Sequence, residues 1–235
     1  MNYLQTLAPA FDPLDSLALA LFLAAWLGLG WVIEHPPRRC PSVSVLMKSY
    51  RREWMVQFIT RQPRIFDATL IESLRQGTAF FASASMIAIG GGVALISNAA
   101  TVVGLAQDLT IGVEAAEVQV KVVLVVALMG NALLKFVWSN RLFGYCAIVM
   151  AAVPNEVTDP RTTGMARQAA EINITAARSF NRGLHSVYFA LCALTWLVGP
   201  QALMAATFAT AAVLIRREFA SHSRQVMLEG LPPSV

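Results

Sequence analysis

From Gln76 to Gln107 the chain carries no Asp, Glu, Lys or Arg over thirty-two residues. As one helix that run would extend about 48 Å, against a bilayer hydrocarbon core of about 30 Å. The core helix of a soluble protein needs no uncharged run of that length, and its outer face needs charge to meet water. Charged residues make up only 14% of the 235 residues and hydrophobic ones 56%, whereas soluble domains carry about 25% charge. Lipid is therefore the expected solvent. The expected class is all-α, a polytopic transmembrane helical bundle forming a single integral membrane domain over 1–235.

About four spanning helices are expected. The first runs from Ser16 to Ile33 and is closed by Glu34, His35, Pro36 and Pro37. The second lies from Thr78 to Ser97, with Gly90, Gly91 and Gly92 inside it, and Asn98 to Asp108 reads as the turn that follows. The third begins near Val118 and ends on the approach to Pro154. Its Lys121 and Arg141 are about 30 Å apart on a helix, so they can sit at opposite interfaces while Lys135 snorkels to the nearer one. The last apolar run, Gly183 to Ile215, would extend about 50 Å but is interrupted by Gly199 and Pro200. It is either one kinked crossing or two short helices folded back as a re-entrant hairpin.

Orientation follows from where Lys and Arg fall. The connection over 34–76 holds eight of them: Arg38, Arg39, Lys48, Arg51, Arg52, Arg61, Arg64 and Arg75. The N-terminal flank has none, so a cleavable signal peptide, which needs a positive start, is not expected. Under the positive-inside rule the N-terminus is outside, the 34–76 loop is cytoplasmic, and Arg141 to Arg182 is cytoplasmic as well. A multi-pass protein of a bacterial inner membrane is the expected setting. The tail over 216–235, with Arg216, Arg217 and Arg224, falls outside after a single last crossing and inside after a hairpin.

Several polar groups are candidates for function. Lys48 to Arg61 puts Trp54 and Phe58 on one part of a helix and basic residues on the rest. Such a helix either lies in the membrane interface, with Arg51 and Arg52 toward anionic lipid of the cytoplasmic leaflet, or packs on the bundle. Arg178, Arg182 and His185 form a stripe at i, i+4 and i+7, joined by Asn181, that could meet an anionic headgroup or solute or simply set helix depth. Asn131 and Lys135 share one face of the third helix near Trp138, which fits a solute path or hydrogen bonding between helices. Small residues recur at Ala20, Ala24 and Gly28 and at Ala84, Ala88 and Gly92, a spacing that allows close helix approach. Glu34, Asp67 and Glu72 lie beside arginines and are expected to pair with them.

Other signals point away from catalysis. Cys40, Cys146 and Cys192 are far apart and lack the spacing of a zinc or redox pair. No nucleotide loop, zinc-protease or serine-hydrolase motif occurs, no cofactor is implied, and nothing suggests nucleic acid. The Asn173-Ile-Thr175 triplet matches a glycosylation sequon but falls in a segment expected to be cytoplasmic.

Separate blocks then carry a family likeness: Arg52-Glu-Trp-Met, Arg64-Ile-Phe-Asp67, Phe80-Phe-Ala-Ser83 with Gly91 and Gly92, Lys135-Phe-Val-Trp-Ser-Asn-Arg141 with Tyr145-Cys146, Phe180-Asn-Arg-Gly183, Tyr188-Phe-Ala-Leu191, Trp196, Gly199-Pro200 and Arg216-Arg-Glu-Phe219. Over about Leu17 to Ser221 the chain resembles the uncharacterised bacterial and plant membrane-protein family catalogued as domain of unknown function five-ninety-nine. The resemblance implies a multi-helix membrane protein and brings no activity, cofactor or site. Asn140 and His185 stand where the family favours other polar or basic residues. The expected function is association, with a second copy, a membrane-protein partner or anionic lipid, through the basic face. A small channel or transporter for an anionic solute is the alternative.

Overall fold

The computed structural model describes residues 12–98 and 115–230, and every element among them is helical. They are α1 (Pro13–Glu34), α2 (Val43–Thr60), α3 (Ile65–Ser97), α4 (Ala115–Ala152), α5 (Thr162–Leu194), a 3-10 turn (Thr195–Leu197), α6 (Pro200–Phe219) and α7 (His222–Glu229). Among the described residues, three helices are long and apolar enough to cross a membrane: Pro13–Glu34, Ile65–Ser97 and Ala116–Ala152. Most of the turn expected at Asn98 to Asp108 lies outside the described residues.

Local chemistry accounts for the helix ends. Pro36 and Pro37 cannot continue α1, because a proline lacks the N–H that the helix needs and constrains the residue before it. Ser42 caps α2 by accepting from the Val45 N–H at 3.3 Å while its hydroxyl donates to the Ile33 carbonyl at 2.7 Å. Pro154 follows the end of α4. Gly199 has φ 151°, which residues with a Cβ rarely adopt, and Pro200 opens α6 in the first position, where its missing N–H costs nothing. The chain therefore breaks helix at Gly199–Pro200. Ser221 caps α7 by accepting from the Arg224 N–H at 3.2 Å.

The chain divides into two compact packing units. The first comprises Met1–Gly30, Ala84–Ala132 and Leu184–Leu214. Its core holds Phe22 from α1, Leu128 from α4, Phe189 from α5, Trp196 from the 3-10 turn and Leu203 from α6. Here α1 and α5 run antiparallel: the Trp196 Nε1–H donates to Asp15 Oδ1 at 2.6 Å, the Phe22 and Phe189 rings meet at 5.4 Å, and His185 lies beside Gly30. Cys192 Sγ is 3.6 Å from Thr207 Oγ1, so α6 lies back along α5. Lys121 is buried, reaching Glu117 at 3.5 Å with its ammonium 5.8 Å from the Trp196 ring centre.

The second unit comprises Trp31–Ser83, Leu133–Gly183 and Ile215–Val235. Met55 and Phe58 of α2, Ile71 of α3, Phe143 and Met150 of α4, and Ala169 and Ala170 of α5 form its core. Phe81, Phe136 and Phe180, from α3, α4 and α5, make a three-ring cluster with centroids 5.4 to 5.6 Å apart. Each such pair contributes about 0.5–1.5 kcal/mol beyond its buried area. Asn140 ties α4 to α3 through the Arg75 carbonyl and Thr78 Oγ1, both at 3.0 Å. Ser139 and Ser179 tie α4 to α5 by donating to the Ala176 and Lys135 carbonyls. The chain passes between the units five times, within α1, α3, α4, α5 and α6.

Candidate functional site

The amphipathic stretch from Lys48 to Arg61 folds as part of α2 and buries Met55 and Phe58 completely enough to join the second unit's core. Apolar residues three and four apart lie on one helix face, and burying a side chain such as Phe58 contributes about 1.5–3 kcal/mol. The opposite partner is α5, whose small residues Ala169, Ala170 and Ala176 let the two helices close up. α2 is thus packed on the protein along that face.

Polar groups line the α2–α5 seam. The Asn181 amide reaches Ser44 Oγ at 3.5 Å, Arg51 donates to Asn173 Oδ1, and the Arg52 Nε–H donates to Glu171 Oε1 at 2.7 Å. Of the two arginines expected to face lipid, Arg51 therefore turns toward a fully buried asparagine and Arg52 forms an exposed ion pair. Lys48 and Arg178 make no hydrogen bond or ion pair among the described residues. Burial lowers the Lys48 pKa, and the nearby Arg178 charge lowers it further.

Arg182 holds Glu34 through both carboxylate oxygens, as a guanidinium fork matched to a carboxylate does. His185 packs its ring edge-on against Phe189, with centroids 5.1 Å apart. The stripe Arg178, Arg182 and His185 is continuous along α5, but its members meet different surroundings. Asn131 donates to Ser186 Oγ at 2.7 Å, which is hydrogen bonding between α4 and α5. Lys135 contributes its carbonyl to Ser179. Carboxylate pairing follows expectation: Glu34 with Arg182, Asp67 with Arg61 and Glu72 with Arg75. Asp67 is fully buried and also accepts from Trp54 Nε1 at 2.6 Å.

The C-terminal tail meets the same region. Glu218 accepts from the Ser44 N–H at 3.0 Å, the Tyr50 hydroxyl donates to the Met227 carbonyl at 3.1 Å, and the Arg224 Nε–H donates to the Pro41 carbonyl at 2.8 Å. Sequence reasoning missed Glu171, Asn173 and Glu218, because each is paired with a residue more than a hundred positions away. The sequence marks Asn173 only as part of a sequon and Glu218 only as part of a family block, and neither mark names its partner.

Charge is divided unequally. Seventeen of the eighteen Lys and Arg residues fall in the second unit, and the first holds Lys121 alone. Among the described residues, no group of three or more His, Cys, Asp or Glu could hold a metal ion.

Three apolar helices of spanning length, in a chain whose described elements are all helical, define a multi-pass α-helical membrane protein. The chain belongs to the family described as Protein of unknown function, DUF599, whose model matches residues 17–223. That bears out the resemblance carried by the blocks from Leu17 to Ser221. No curated protein and no solved structure matches the chain.

Proposed function

We propose that this is a five-crossing inner-membrane protein, N-terminus outside, that works by association through one basic cytoplasmic face. The observation behind this reading is the gathering of seventeen of eighteen cations in one packing unit, which the positive-inside rule turns toward the cytoplasm. The apolar runs of α1, α3 and α4, of the end of α5 and of α6 support five crossings. The last two, the apolar end of α5 and α6, would cross as a pair hinged at Gly199–Pro200. The contacts of Glu218 and Arg224 with Ser44 and Pro41 support a tail that returns to the basic side. Of the two arrangements that the sequence leaves open, a kinked crossing and a folded-back pair of helices, this reading takes the pair.

Association suits the chemistry better than solute passage. Arg182 is engaged by Glu34, and Asn131 by Ser186. Exposed apolar side chains on α3, such as Phe80 and Ile87 at 68% and 77%, offer lipid or a second copy an apolar surface. Extraction into native lipid particles should yield anionic lipid, a discrete oligomer or a membrane partner in stoichiometric amount. Anion flux in liposomes that Arg182→Ala abolishes, without any such associate, would contradict the reading.

A further inference from the structure

The α2–α5 seam contains one rung that its neighbours do not explain. Ser44 faces Asn181 at one end and Arg52 faces Glu171 at the other, so the helices run antiparallel. Lys48 is four residues from both Ser44 and Arg52, hence on the same face of α2. Arg178 is three residues from Asn181 and seven from Glu171, hence on the matching face of α5. The middle rung therefore sets a cation against a cation. Lys48 is half-buried and Arg178 exposed, and the Lys48 pKa is lowered first by burial and next by the Arg178 charge.

Glu34 and Glu171 act against this repulsion, yet the Lys48 pKa stays lowered, and each nearby carboxylate is already engaged. Glu34 is held by Arg182, Glu171 by Arg52, and Glu218 by the Ser44 N–H. Lys48, Arg51, Arg52, Arg178 and Arg182 thus stand against three engaged carboxylates. The depth of the rung indicates what could lie between its cations. Arg178 is one helical turn, about 6 Å, from Arg182, whose partner Glu34 closes the apolar run of α1. Trp31, one turn before Glu34, is 64% exposed and stacked on His35, as residues at a membrane interface are. That is the level of lipid headgroups.

We propose that Lys48 and Arg178 together bind the phosphate of an anionic lipid headgroup across the α2–α5 seam. A phosphate has oxygens enough for both, taking the arginine as a fork and the lysine as a point charge. The proposal deepens the association reading above by naming the lipid group and the two residues that would take it.

The test uses the purified full-length protein in zwitterionic detergent and follows thermal unfolding, so it depends on neither orientation nor a protein partner. Added phosphatidylglycerol should raise the melting temperature, while phosphatidylcholine and inorganic phosphate at equal concentration should not. Lys48→Gln and Arg178→Gln should each weaken the phosphatidylglycerol response by about fivefold in half-saturating concentration. Each should leave the lipid-free melting temperature unchanged or raised, because repulsion is relieved. Arg39→Gln, an exposed arginine outside the seam, should keep the full response. A lower lipid-free melting temperature with an unchanged lipid response would make the rung merely structural and overturn the proposal. An equal loss in Arg39→Gln, or an equal effect of inorganic phosphate, would overturn it as well. Failure of the association reading has a different signature, namely no lipid, oligomer or partner retained in native particles.

Discussion

Asp67 is the residue on which the start of α3 most depends. Its buried carboxylate takes both the Trp54 indole N–H and the Arg61 guanidinium. Asp67→Ala leaves those donors without an acceptor, and since Arg61 keeps a third of its side chain in solvent, the loss should be about 2 kcal/mol. A lowered melting temperature and altered Trp54 fluorescence would check it. Asp159, in the exposed connection between α4 and α5, behaves differently. Hydrogen bonds from the Arg161 side chain and backbone hold its carboxyl down, at about 2 instead of 3.8. Its folded value is depressed, so its contribution is present above the unfolded value of 3.8 and is lost as pH falls toward about 2. In Arg161→Gln the carboxyl should titrate by NMR above about 2 but still below 3.8, because the backbone N–H of residue 161 remains, with the fold unchanged.

Helix contacts decide which small residues matter. A methyl group on Gly183 of α5 would stand 2.6 Å from the Phe136 ring, and one on Gly92 of α3 would stand 2.5 Å from Val126 Cγ2. Gly28, Gly90 and Gly91 have nothing within 4 Å of that position. Gly183→Ala should therefore destabilise by about 1–3 kcal/mol through overpacking, whereas Gly91→Ala should be neutral or slightly stabilising, as glycine is poor in a helix interior. Paired melts in the same detergent would separate them. The repeated small residues were legible in sequence, but only a partner's position distinguishes Gly92 from Gly28. The same holds for the family blocks. Phe81, Phe136 and Phe180 sit in three of them and meet in one cluster, and Trp54 and Asp67 sit in two others and hydrogen-bond. Those blocks are positions where helices touch.

Across the whole molecule, the three apolar helices and the breaks after Glu34 and at Gly199–Pro200 could be read from charge-free runs and prolines, because those signals are local, whereas the starts of α3 at Ile65 and α5 at Thr162 could not. The seam of α2 with α5 could not be read, because Arg52 and Glu171 carry no mark of each other. The return of the tail was equally hidden: Gly199–Pro200 announces a break, and both a kink and a reversal satisfy it. Contacts of residues 218–227 with residues 41–50 favour reversal. The most direct measurement is labelling of single cysteines, on a background with Cys40, Cys146 and Cys192 replaced by serine, using an impermeant maleimide on intact spheroplasts. Asp12→Cys should react from outside, while Arg39→Cys and Ser223→Cys should react only after permeabilisation. Labelling of Ser223→Cys and Arg39→Cys from opposite sides of the membrane would contradict a single basic face.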